Sequence, residues 1–142
     1  MALVYFDASA LVKLVVEEEG SDLAARLWDS CDAALASRLA HVEACAALAA
    51  SHRNRDLSRA DLDAALAGLD GFWAAVRAVE LDPSVQRNAS RLARDHALRG
   101  ADAVHLASAL AVGHPDLVVA VWDRRLAAAT LAAGLPVTPP PD

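Results

Sequence analysis

Two short apolar runs, Leu3-Val4-Tyr5-Phe6 and Leu117-Val118-Val119-Ala120-Val121-Trp122, each stop at an aspartate, and helical spacing fills most of the chain between them. A run that does not alternate between apolar and polar residues belongs to a strand buried on both faces. Helices lying between such strands make the crossovers of a parallel sheet. The pattern predicts helices over 8–19, 21–28, 37–51, 58–74, 83–100, 101–112 and 124–133. Further strands are predicted at 33–36, 76–81 and, as an edge, 135–137. Asp82-Pro83 is a strong helix start, because aspartate caps free amides and proline fits the first turn. Ser58-Arg59-Ala60-Asp61 resembles a capping box. With 35 Ala among 142 residues, against 6 Gly and 6 Pro, the chain reads as helix-rich. It has no internal repeat and no linker, so residues 1–142 are expected to form one α/β domain. That domain is a three-layer α/β/α sandwich around a mostly parallel sheet. The Pro139-Pro140-Pro141 tail is expected to fray.

Several classes are excluded at this level. Cys31 and Cys45 cannot build a disulfide framework, and no Cys/His spacing suits zinc. The uncharged run from Leu126 to Pro141 carries Gly134 and four prolines and is shorter than the roughly 20 apolar residues of a membrane span. Residues 1–6 read as a strand with no basic leader, so a cytoplasmic protein is expected. The net charge is −6, which argues against nucleic-acid binding unless several carboxylates sit together on bound cations.

Four acidic residues stand in apolar sequence, where an ionised carboxylate is costly unless paired or coordinated. Asp7 and Asp123 each follow a strand, where either can simply cap the next helix. Glu43 lies on the helix face shared by Leu39 and Ala46-Ala47, open to a buried ion pair with an arginine or to a functional role. Asp102 follows Gly100-Ala101 in line with Leu106 and Ala109; there a plain helix-start aspartate is the alternative. Ligands of parallel sheets bind outside the carboxyl ends of the strands. Four carboxylates brought together there repel one another, raise the pKa of at least one, and need a cation. Oxygen donors without a Cys or His set select Mg²⁺ or Mn²⁺. Strain of this kind predicts that Asp102→Asn raises the melting temperature in the absence of metal, or at least does not lower it.

The same residues are where the chain resembles the PIN-domain family, and within it the VapC-type toxin ribonucleases. The opening Tyr5-Phe6-Asp7-Ala8-Ser9-Ala10-Leu11-Val12-Lys13-Leu14 looks like the family's first block, and Ser37–Leu48, with Glu43, is similar to its second. Gly100-Ala101-Asp102-Ala103-Val104-His105-Leu106-Ala107-Ser108-Ala109 resembles the third, and Val121-Trp122-Asp123-Arg124-Arg125-Leu126 with the Ala-rich helix after it the fourth. Order, spacing and length all fit. The resemblance implies a metal-dependent endoribonuclease, the toxin of a toxin–antitoxin pair. It also implies that Asp7, Glu43, Asp102 and Asp123 form a catalytic quartet, with Asp7, Asp102 and Asp123 on the metal and Ser9 assisting. One position departs: Val121 stands where the family often has Thr or Ser.

Lys13, Arg124 and Arg125, together with Arg53 and Arg55, are candidates to hold RNA. His105, beside apolar residues, reads as a packed, hydrogen-bonded side chain, and Trp28, Trp73 and Trp122 as core or interface residues. The partners expected are RNA, a small cognate antitoxin and a second copy of the chain in a homodimer, with no membrane. The rival readings are a catalytically weak PIN-like RNA- or protein-binding module and a carboxylate-cluster phosphatase or receiver domain. A phosphatase of that kind wants an aspartate where Ser9 stands, and a receiver wants a late lysine, whereas Lys13 is the only lysine.

Overall fold

A computed structural model describes residues 1–141 of the chain. Five parallel strands run in the order β3-β2-β1-β4-β5, with β1 Leu3–Phe6, β2 Ala33–Ser37, β3 Arg77–Val79, β4 Leu117–Ala120 and β5 Val137–Thr138. The seven helices among the described residues are α1 Ala8–Val15, α2 Ser21–Ser30, α3 Leu39–Arg53, α4 Arg59–Trp73, α5 Pro83–His96, α6 Gly100–Val112 and α7 Arg124–Ala132. Side chains alternate across each strand, so the sheet carries two cores. Leu3, Tyr5, Leu117 and Val119 pack under α5, α6 and α7. Val4, Phe6, Ala34, Ala36 and Ala120 pack under α1, α3 and α4. Tyr5 and Phe6 are both wholly buried, one in each layer. Burying a side chain of that size stabilises the fold by about 1.5–3 kcal/mol. The result is the three-layer α/β/α sandwich that the strand runs call for. No helix among the described residues is long and apolar enough to cross a membrane.

Several boundaries fall short of the periodicity, each for a local reason. The first helix stops at Val15 because Val16 turns extended and the Ser21 hydroxyl takes over, donating to the Val16 carbonyl and accepting the Glu18 amide. Glu17, Glu18 and Glu19 would oppose the dipole of a longer helix. The fifth helix ends at His96, where Ala97 adopts the left-handed region, so Arg99 rather than Gly100 precedes the next helix. Strand β4 ends at Ala120 and β5 starts at Val137, two residues later than the edge strand predicted from Leu135.

The strand order reverses beside β1: one path leads through β2 to β3, the other through β4 to β5. The crevice of such a sheet opens where neighbouring strands send their chains to opposite sides, here past Phe6 and Ala120.

Candidate active site

Asp7 leaves β1 at that crevice and caps α1, its Oδ1 accepting the Ala10 amide at 2.9 Å and the Ser9 hydroxyl at 2.8 Å. Both bonds use one oxygen, and among the described residues no hydrogen bond reaches Oδ2. Asp7 is only 5% exposed. Burial raises its pKa. A His105 ring would pull it back only if protonated; the Ala10 amide and the Ser9 hydroxyl also pull it back, and the repulsion of Glu43 adds to the rise. Desolvation, not crowding of like charges, is thus the main strain on this carboxylate.

Glu43 reaches the crevice from α3. Its Oε1 lies 2.6 Å from His105 Nε2, so its buried partner is an imidazole, not the arginine that an apolar helix stripe leaves open. Asp102 comes from the first turn of α6, one turn before His105. It caps nothing: Arg99 is the cap residue of α6, and its Nε donates to Asp102 Oδ2 at 3.1 Å. Asp123 follows β4 and caps α7 through Oδ1, which accepts the Leu126 amide at 2.8 Å. Its Oδ2 is 3.7 Å from a terminal nitrogen of the same Arg99. The four carboxylates therefore stand as two pairs. Asp7 and Glu43 have buried partners, the Ala10 amide and His105, and Asp102 and Asp123 share Arg99.

As placed, no three His, Cys, Asp or Glu side chains among the described residues close on one point to hold a metal ion. The donor chemistry nonetheless suits a hard divalent cation. All four groups are carboxylates, and a guanidinium already lies against Asp102 and Asp123. Mg²⁺ commonly keeps several of its waters and takes only one or two protein carboxylates, completing its shell with phosphate oxygens.

The walls of the crevice are basic. A cavity of about 550 Å³ is lined by Arg99, Trp122, Asp123, Arg124 and Arg125. Arg124 and Arg125 occupy the first turn of α7, where the helix dipole disfavours a cation and a nearby anion offsets the cost. Lys13 stands elsewhere. Its amine pairs with Glu18 at 2.9 Å and sits 5.1 Å from the centre of the Trp122 ring, in a second cavity of about 560 Å³ that shares Trp122 and Arg124 with the first. Pro139, Pro140 and Pro141 line that second cavity, so the tail lies along a wall. Arg53 and Arg55 do not belong to the site. Arg53 is ten residues from Glu43 along α3, roughly 15 Å, and Arg55 is in the exposed turn beyond. Val121 is buried in the core beside Leu126 and Ala127, so that position supplies packing instead of a hydroxyl.

Three side chains of the site are not flagged by the sequence pattern. Arg99 had one local signal, its position three residues before Asp102. Tyr5 lies two residues before Asp7, on the same face of the chain, and its phenol reaches His105 Nδ1 at 2.7 Å. His105 is packed and hydrogen-bonded, and it also joins Tyr5 to Glu43.

Comparison with known proteins agrees with this fold. Residues 4–130 match the PIN domain. Ribonuclease VapC45 of Mycobacterium tuberculosis is 63% identical over 139 residues, covering 98% of this chain and 96% of that protein. Among solved structures, PAE2754 from Pyrobaculum aerophilum superposes with a TM-score of 0.72 at 26% identity, covering 96% of this chain and 83% of the other. Mycobacterium tuberculosis VapC20, described as a sarcin-ricin loop cleaving toxin, gives 0.69 at 20% identity, covering 93% of this chain and 95% of the other.

Proposed function

The chain belongs to the PIN-domain family, as a VapC-type toxin ribonuclease, and from that premise we propose that it hydrolyses RNA at the β1–β4 crevice using Asp7, Glu43, Asp102 and Asp123. The observation that carries this reading is the placement itself. Two strand ends and two helices deliver carboxylates to the switch point of the sheet, beside a cavity walled by three arginines. Mg²⁺ or Mn²⁺ held by Asp7, Asp102 and Asp123 supplies, when bound, charge neutralisation at the scissile phosphate and a lowered pKa for the attacking water.

The protein's own groups do the rest. Ser9 and the Ala10 amide fix the Asp7 carboxylate by one oxygen and leave the other for the crevice. Glu43, anchored through Oε1, orients the attacking water and accepts its proton through Oε2. Arg99, Arg124 and Arg125 hold phosphate oxygens of the RNA backbone, so the negative net charge is no obstacle. Four of the acidic residues serve the site, and the basic ones line it. A toxin of this type is paired with an antitoxin. An acidic crevice that already accepts the Arg99 guanidinium suits an inhibitory Arg or Lys from that partner's chain, because an arginine fork pairs well with carboxylates.

The test is cleavage of single-stranded RNA by the purified, partner-free chain. Mg²⁺ or Mn²⁺ should be required, EDTA should abolish cleavage, and the products should carry 5′-phosphate and 3′-hydroxyl ends. Undiminished cleavage in EDTA, or cyclic phosphate ends, would contradict the mechanism.

A further inference from the structure

Beneath Glu43 lies a buried chain of polar groups that the hydrolysis scheme does not use. Tyr5 is wholly enclosed, and its phenol oxygen accepts the backbone amide of Ser37 at 3.1 Å, from the end of β2. A tyrosine phenol carries its proton at neutral pH, so an oxygen that accepts one amide still has its own hydrogen to donate. Ser108 stands one turn beyond His105 on α6. Its hydroxyl stays outside bonding geometry and is the buried polar side-chain atom left without a partner among the described residues. The Tyr5 proton is therefore directed at His105 Nδ1, 2.7 Å away. An imidazole that accepts on Nδ1 carries its own proton on Nε2, and Nε2 faces Glu43 Oε1 at 2.6 Å.

We infer that His105 is a positioning residue. Backed by Tyr5, it is held as the Nε2–H tautomer and aims the Glu43 carboxylate, so that one oxygen is anchored and the other is turned to the reacting water. The role rests on the reading of Glu43 as the base. Its structural half, the fixed tautomer, stands independently of catalysis. Ordering by a buried partner is how sites on rigid elements hold a carboxylate to a productive direction. The side chain of His105 is 4% exposed, against 29% for Glu43, so the orienting group is the better fixed of the two. Ser37, Tyr5 and His105 come from three different elements, β2, β1 and α6, and the aim of Glu43 is thus tied to the sheet and not to α3 alone.

The first measurement is ¹⁵N NMR of the imidazole nitrogens in the folded, full-length protein at neutral pH. A protonated Nε2 and an unprotonated Nδ1 at His105 are expected. A proton on Nδ1, alone or on both nitrogens, overturns the inference. The second measurement compares the kinetics of His105→Leu, His105→Gln, Tyr5→Phe and Glu43→Gln. The first and third should lower kcat by roughly ten- to a hundredfold with KM for RNA unchanged. His105→Gln, whose amide can still donate to Glu43, should recover part of the loss. A wild-type kcat in His105→Leu, with Glu43→Gln inactive, overturns the positioning role and leaves the base intact. A wild-type kcat in Glu43→Gln overturns the base itself, and the positioning role with it. The NMR result needs no variant, so loss of folding in any of these proteins leaves the inference open to refutation.

Discussion

The two halves of the crevice are built on opposite principles. Asp7 and Glu43 are fixed from behind by short bonds to Ser9, the Ala10 amide and the His105 ring, and Asp7 is buried at the cost of a raised pKa. Asp102 and Asp123 are held from in front by Arg99, whose side chain is 73% exposed and whose contact with Asp123 is 3.7 Å. One half is preorganised by the core. The other is balanced by an exposed charge at the surface, where a guanidinium can be exchanged for another cation or for substrate. The difference teaches where strain and adaptability belong. A carboxylate that must not move is given a buried partner, and one that must change partners is given an exposed one.

Variants of the fixed half should show the largest effects. Asp7→Asn and Glu43→Gln are each expected to reduce RNA cleavage by about 10²–10⁴-fold, the range for loss of a positioned acid–base group. Asp7→Asn should do so without lowering the melting temperature, since asparagine caps a helix about as well as aspartate and no buried charge remains. Differential scanning calorimetry alongside the cleavage assay checks both parts. A fall in stability equal to the loss of a core residue would show that Asp7 is structural.

Gly20 offers an intermediate effect on the half held by Arg99. It has φ +91°, and a Cβ built there would lie 2.7 Å from Trp122 Nε1. Gly20→Ala should cost about 1–3 kcal/mol through strained backbone and displaced packing. It should also weaken metal-dependent activity, because Trp122 immediately precedes Asp123. Chemical denaturation measures the first effect. Unaltered stability would mean that the indole moves aside freely.

Arg99→Ala should change stability by less than about 1 kcal/mol, as expected for exposed ion pairs. It should bind Mn²⁺ a few-fold more tightly by calorimetric titration, because the internal cation no longer competes, while RNA affinity falls. Unchanged metal affinity would separate Arg99 from the site.

The smallest effect is the pH dependence of stability attached to Asp7. A carboxylate whose folded pKa is raised favours the folded state at pH below the unfolded value. That contribution is lost as pH rises from the ordinary aspartate range through the raised folded value. The stability gap between Asp7→Asn and the wild type should accordingly be widest near neutrality and narrow as pH falls toward about 4. A gap constant with pH would remove the buried charge from the account.

The contrast between the halves also governs what was legible in the sequence. Asp7, Asp82 and Asp123 have one local signature, an aspartate after a strand with its Oδ1 on the amide three residues later. Only strand order separates them. Asp82 follows the edge strand β3, while the other two flank the switch point, so motif spacing could mark all three as caps but not rank them. Glu43 was legible because a charge on an apolar stripe needs a reason. Crowding was expected to raise the pKa of at least one carboxylate; that of Asp7 is raised, chiefly by burial, and Asp102 is paired with Arg99. Tyr5 and His105 read as core from their neighbours. They are core, and their polar atoms meet their partners only through contacts across 100 and 62 residues of sequence. Lys13 has helical spacing from Asp7, but Glu18 and Trp122 draw it into the neighbouring cavity.

That the two halves act as one cation site is tested most directly by thermal unfolding with increasing Mn²⁺ or Mg²⁺. Three proteins are compared: the wild type, Asp7→Asn from the half with buried partners and Asp102→Asn from the half held by Arg99. A ligand that binds only the folded state raises its stability by mass action, by about 2.7 kcal/mol at a hundredfold excess over Kd. The wild type should show that rise, and both variants should lose most of it, although Asp7 and Asp102 have no bonding partner in common. An equal rise in all three proteins, or its loss in only one variant, would contradict a single shared site.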